Sequence, residues 1–205
     1  MARDLMPITK RSRREKVALH PKAIKIMAKK GYGPGEHGQS GMRAKPTQYA
    51  IQLREKQKVK RTYGLLEKQF AKLVIDAERK SGVTGDIMLQ LLEQRLDNAV
   101  YRVGLAPSRQ SARQLVTHGH FMLNGRRVDI PSIRLAPGDE FVVRPKSQAN
   151  TYFKALEPEL KANKQSVSWL SLDAKKLAVK VTGTPAREDS DADINEQLII
   201  EFYSR

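Results

Sequence analysis

The chain has 205 residues, 40% of them hydrophobic and 29% charged, and its 38 Lys and Arg against 22 Asp and Glu leave a net charge of +16. Cysteine is absent, which excludes disulfides, thiolate zinc sites and cysteine nucleophiles. A surplus of this size attracts polyanions; nucleic acid is the leading candidate, because each phosphate contact releases counterions, and an anionic membrane surface is the rival.

The length allows one large domain or two small ones. No apolar run approaches the roughly 18 residues of a membrane span, and the N-terminus lacks the apolar stretch of a secretory signal. Residues 1–61 hold 17 Lys and Arg and only 4 Asp and Glu, so most of the surplus lies at the front. The first 45 residues read as a basic extension. KRSRREK supplies Lys10, Arg11, Arg13 and Arg14, and KKGYGPGEHGQSG crowds glycines around Pro34. Such segments order on a polyanion.

Residues 47–80 follow a helical pattern through Tyr49, Leu53, Leu66, Phe70, Leu73 and Ala77, with a break or bend at Gly64. Arg54, Lys56, Lys58, Lys60 and Arg61 surround its first part. A second helix is predicted over about 86–102, on Met88, Leu91, Leu92, Leu96 and Ala99. Ser108 then caps a short helix whose apolar face is Ala112, Leu115 and Val116, and Gly119 stops it. HFMLNGRRV reads as strand, Asn124-Gly125 turn and strand. LAPGDEFVVR adds another turn and strand, so about 95–145 forms a helix-plus-hairpin module of mixed α and β type. Further on, Trp169 to Leu172 and Leu177 to Val181 suggest two strands, 183–191 a loop, and Ile194, Leu198, Ile199 and Phe202 a short terminal helix.

Arg109 and Arg113 share one helix face, and Arg126 and Arg127 follow the hairpin turn. If helix and hairpin pack together, some of these arginines converge with His118 and His120 on one surface. The arginine fork suits phosphate; the alternative is an ordinary solvated face. His118 and His120 lack further ligands for a metal, and no nucleophile elbow or Walker spacing is present. Glu93 and Asp97 read as ion-pair partners of Arg95 or Arg102. Tyr32, Tyr63 and Phe121 serve either base stacking or packing.

RLDNAVYRVGLAPSRQSARQLVTHGHFMLNGRRVDIPSIRLAPGDEFVV resembles the S-four RNA-binding domain. PGEHG, QLREKQKVKRTYGLLEKQF, LLEQRLDNAVYR and DINEQLIIEFYSR make nearly the whole chain similar to the bacterial S-four family of the small ribosomal subunit. The resemblance implies an α+β fold: a basic extension over 1–45, a helical domain over 46–92 completed by about 190–205, the RNA-binding module over 93–155, and strands and a loop over 156–189. It implies a non-enzymatic, cytoplasmic, ribosome-bound protein without cofactor. Such a protein binds the 5′ domain of small-subunit rRNA, nucleates assembly of the body, contributes to decoding accuracy and in some members represses its own operon. The implied RNA contacts are Lys10, Arg11, Arg13, Arg14, Pro34, Gly35, His37, Gly38, Arg54, Lys56, Lys58, Arg61, Tyr63, Arg109, Arg113, His118, His120, Asn124, Arg126 and Arg127. Arg43 and Lys45 would lie on the mRNA path at the entry pore. Asp191, Asp193, Glu196 and Glu201 would face the S-five protein, with the S-three protein nearby. Many relatives bind zinc through four N-terminal cysteines, which this chain lacks.

Two rivals compete with this reading. An RNA-modifying enzyme using the same module would need a separate catalytic domain, and a regulator would bind RNA or DNA off the ribosome.

Overall fold

The computed structural model describes residues 6–39, 45–162, 167–191 and 193–204. The helices in chain order are α1 (Ile8–Glu15), α2 (Pro21–Lys29), α3 (Gln48–Thr62), α4 (Glu67–Glu78), α5 (Thr84–Glu93), α6 (Leu96–Arg102), α7 (Arg109–Thr117), α8 (Pro145–Gln148), α9 (Thr151–Ala162) and α10 (Glu196–Tyr203). The strands are β1 (Phe121–Leu123), β2 (Arg126–Val128), β3 (Glu140–Val143), β4 (Leu170–Asp173) and β5 (Ala178–Val181). The chain divides into two compact units, residues 1–87 with 193–205 and residues 88–192. Helices and an antiparallel sheet together make an α+β protein.

The first unit is helical. Thr47 caps α3 by accepting from the Ala50 N–H, and Gly64, at φ +66°, turns the chain between α3 and α4. α10 lies along α3. Gln52 donates to Glu201 at 2.8 Å, Glu55 accepts from the Asn195 N–H at 2.9 Å, and the Tyr49 and Phe202 rings meet at 5.7 Å. Lys56, itself buried, sits 4.5 Å from the Phe202 ring centre and donates to Glu67 at 2.7 Å. Glu67 also accepts from Lys60 at 2.6 Å and from the Tyr203 hydroxyl at 2.9 Å. One carboxylate therefore fastens α3, α4 and α10. Burial alone would raise the Glu67 carboxyl, but hydrogen bonds from Lys56, Lys60 and Tyr203 outweigh it and push it down to about 2. Burial and the bond to Glu67 push the Tyr203 hydroxyl upward.

The basic extension, expected to order on a polyanion, carries two packed helices of its own. Ala23 of α2 is buried, and the Glu15 side chain at the end of α1 is fully enclosed. Glu15 Oε1 accepts from Arg61 of α3 and, at 3.2 Å, from Arg54. A charge buried this way has to be paired, and the pairing ties α1 to α3.

In the second unit the sheet order is β2-β1-β3-β5-β4, antiparallel throughout. Phe121, Phe141, Val143, Trp169 and Val179 join Leu96, Val100, Ala112, Val116 and Phe153 in one core. Ser108 caps α7 by accepting from the Ser111 N–H. At the other end Gly119, at φ +69°, closes the helix: the Gly119 N–H reaches Val116 O and the His120 N–H reaches Leu115 O. That pair of bonds is a Schellman motif, which requires a left-handed residue there. Asn124 and Gly125 both have positive φ, 48° and 79°, the type I′ geometry that matches strand twist.

The single helix expected over 86–102 is two. Arg95 is extended and bridges Arg134, while the Leu96 N–H bonds to Ile133 O and the Leu135 N–H to Gln94 O. The apolar period runs on through this break, so periodicity does not reveal it. The sequence pattern does not mark α8 and α9.

Two measurements check these devices. Gly119→Ala forces a left-handed alanine and sets a Cβ 2.7 Å from Arg127 Nε, so urea unfolding should show a loss of about 1–2 kcal/mol. Because the Glu67 carboxyl is depressed in the fold, its contribution is present above its ordinary value of 4.5 and is lost as pH falls through about 2. Stability measured against pH should therefore fall less steeply across that window in Glu67→Gln than in the parent.

Candidate nucleic-acid interface

The C-terminal end of α7 gathers cations. The guanidinium of Arg127 lies against Gly119, and Arg144 donates to the Gly119 carbonyl at 3.0 Å. Carbonyls at a helix C-terminus carry partial negative charge and favour cations there. His118 is exposed beside them, its ring 6.1 Å from that of His120. Arg126 and Arg127 are both exposed on β2. Arg144 went unnoticed in the sequence because nothing in FVVR links it to the distant glycine.

His120 differs from its neighbour. It is half-buried, within 3.0 Å of the Ser147 hydroxyl and 5.9 Å from the Phe153 ring. Burial, with the nearby His118 and Arg144, holds its imidazole below the ordinary range. Its ring is engaged with Ser147 and Phe153 at the start of β1. Asn124 is likewise committed, donating to Asp139 at 2.8 Å and accepting from the Glu140 N–H at 2.9 Å. Its amide secures the hairpin to the start of β3.

At the N-terminal end of α7, on the order of 15 Å away at 1.5 Å per residue, a second cluster forms. Arg109 donates to Asn98 at 2.9 Å, lies 4.6 Å from the Tyr101 ring centre and reaches Asp191 at 3.4 Å. Arg113 reaches Asp97 at 3.5 Å, and Arg95 grips the same carboxylate with two hydrogen bonds of 3.1 and 2.9 Å. Arg102 holds the buried Glu93 with two bonds of 2.9 and 2.7 Å. The four arginines do not converge with the histidines; they surround Asp97, Glu93 and Asp191.

In the first unit, Lys10 and Arg14 are exposed on α1. Arg13 donates to the carbonyls of Tyr32 and Gly33 at 3.0 and 2.9 Å and stacks on the Tyr32 ring. It thereby folds the glycine loop back on α1. In that loop Gly35 has φ +101° and a Cβ on Gly38 would meet Gly33 O at 2.1 Å, so the curl requires glycine. Pro34 and Gly38 are half-buried there, and Gly35 and His37 are exposed.

Several of the expected contact residues are engaged within the protein. Arg11, Lys56 and Tyr63 are buried, Arg54 and Arg61 hold Glu15, and Lys58 bonds Glu55 and the Asp193 carbonyl. Releasing a buried cation to reach a phosphate would strand its carboxylate, which is costly. Lys45 is exposed, and Arg43 lies outside the described residues. The acidic stretch turns toward its own chain: Asp191 meets Arg102 and Arg109, and Glu201 accepts from Gln52. Glu196 and Glu201 also line a groove of about 740 Å³ with Gln52, Val83, Gly85 and Ile200. Among the described residues no group of three His, Asp or Glu side chains is placed to hold a metal ion. None of their helices is long and apolar enough to cross a membrane.

The two parts of the chain match two family models. Residues 3–93 match the ribosomal protein S4/S9 N-terminal domain, and residues 94–141 match the S4 domain. Over the full length of both chains, the sequence is 48% identical to small ribosomal subunit protein uS4 of Chloroflexus aurantiacus. It is 50% identical to that of Herpetosiphon aurantiacus and 47% to that of Thermus thermophilus, again with both chains covered completely. The chain thus belongs to the non-enzymatic ribosomal protein S4 family of the small ribosomal subunit.

Proposed function

We propose that this protein is a structural constituent of the small ribosomal subunit and holds its ribosomal RNA by phosphate contacts. The observation that carries this reading is the cluster at the end of α7, where Arg126, Arg127, Arg144 and His118 stand around a helix stop and a hairpin turn. Secondary structure fixes the positions of these cations, so they meet a phosphate backbone without first being ordered. Arg109 and Arg113 extend the surface along α7. Lys10, Arg14 and the Gly35–His37 part of the glycine loop form a second basic area on the helical unit.

The finer assignments are part of the same proposal. The RNA is the 5′ domain, and binding there nucleates assembly of the subunit body. Lys45, with Arg43, lies toward mRNA at the entry pore and so bears on decoding accuracy. The groove beside Glu196 and Glu201 receives a protein neighbour, for which the S-five protein, with the S-three protein nearby, is the family precedent. Repression of its own operon would use the same RNA surface, and the working location is the ribosome in the cytoplasm.

Phosphate contacts are countable by salt. Arg126→Ala combined with Arg127→Ala should weaken binding to a 5′-domain rRNA fragment and reduce the slope of log K against log salt by roughly one to two. An unchanged slope would show that neither side chain touches phosphate. On sucrose gradients in moderate salt, most of the protein should sediment with small subunits. A pool found only at the top of the gradient would contradict the ribosomal assignment.

A further inference from the structure

Two arginines of the second unit share a carboxylate that neither needs in order to stay in place. Arg102 is anchored by both of its hydrogen bonds to the buried Glu93. Arg109 is anchored by its bond to the buried Asn98 and by the ring of Tyr101. Asp191 bridges the two, taking Arg102 Nη2 on Oδ1 at 3.3 Å and Arg109 Nη2 on Oδ2 at 3.4 Å. Both contacts are long. The Asp191 side chain is 40% exposed, whereas the two guanidiniums are 17% and 18% exposed. Two oxygens of one anionic group facing two fixed guanidiniums is also the arrangement a phosphate presents.

We propose that Arg102 and Arg109 form a phosphate site in the RNA surface, and that Asp191 is its intramolecular occupant, displaced when a backbone phosphate arrives. The idea rests on the RNA reading above and adds a competitor to it. A solvent-screened pair is weakly held, so a backbone phosphate of equal charge, held in place by its neighbours along the strand, can outcompete it. Only the Asp191 side chain has to swing. Asp189 stays tied to Ser168 and to the Ala186 N–H, and Ser190 is tied to the Arg187 carbonyl. Glu15 makes the contrast: it also bridges two arginines, but its side chain is fully enclosed, and no phosphate can replace it. The consequence of an exposed occupant is selectivity. An anion that engages one guanidinium alone does not repel Asp191 out of the pair, while a backbone placed by the rest of the surface does.

The test is a mutant cycle on the full chain, read as affinity for a 5′-domain rRNA fragment in about 0.1 M salt. Asp191→Asn should bind about threefold to tenfold tighter than the parent, the range that two weak surface ion pairs convert to. Asp173→Asn removes the same charge from the far edge strand. An asparagine there keeps the turn bonds to the Lys175 and Lys176 N–H groups, and this variant should change affinity less than about twofold. In an Arg109→Gln background the gain from Asp191→Asn should vanish. If the thermal midpoint shows that Arg109→Gln does not fold, Arg102→Gln takes its place with the same expected loss. A gain no larger than that of Asp173→Asn, or one that survives loss of the arginine, overturns the proposal while leaving RNA binding intact. Failure of the parent itself to prefer the fragment over an unrelated RNA of equal length would overturn the RNA reading and this site with it.

Discussion

A chain carrying sixteen surplus positive charges has to bring cations together without losing the fold to their repulsion. It does so by setting a single carboxylate between two cations at four places. Glu15 stands between Arg54 and Arg61, Glu67 between Lys56 and Lys60, Asp97 between Arg95 and Arg113, and Asp191 between Arg102 and Arg109. At Glu15, Glu67 and Asp97 one carboxylate faces two cations and the joint keeps a net positive charge, while at Asp191 the second carboxylate, Glu93, balances Arg102. Where the carboxylate is enclosed the joint is permanent, as between α1 and α3. Where it is exposed and held only by long contacts, as at Asp191, the cations remain within reach of another anion; Glu67 is also exposed, but short bonds and the burial of Lys56 keep its joint closed.

This division separates structural cations from functional ones. Lys56 is locked among Glu67, Phe202 and Tyr203 and fastens the last helix to the helical unit. Arg126 and Arg127 are exposed beside a type I′ turn and a Schellman stop, and the half-buried Arg144 is held there by the Gly119 carbonyl. The surface is thus built from hairpin and helix geometry, and rigid placement lowers the entropic cost of meeting a polyanion.

Much of this was legible in the residues, because the signals are local. Asn124-Gly125, Ser108 and Gly119 each dictate a backbone state on their own, and the structure shows all three in the expected roles. Glu93 and Asp97 do pair with Arg102 and Arg95, though across the break at Arg95 and not along one continuous helix. What was not legible depends on contacts distant in sequence. The break at Arg95 is set by a bridge to Arg134, and the commitment of Lys56 by an aromatic ring from α10. The inward turn of the acidic tail depends on arginines far back in the chain. A basic residue in a helix looks the same in sequence whether it will face a phosphate or a buried carboxylate. Only tertiary packing tells the two apart.

The claim at the centre of this account is that outward cations held by backbone geometry, together with those whose carboxylate partner can be displaced, meet the RNA, and that a buried cation such as Lys56 does not. Crosslinking in intact small subunits, mapped to both residue and nucleotide, tests it most directly. The account predicts crosslinks to small-subunit rRNA from the 124–127 hairpin and the 34–38 loop, and none from Lys56. Crosslinks from Lys56 to RNA, or a hairpin joined only to protein, would contradict it.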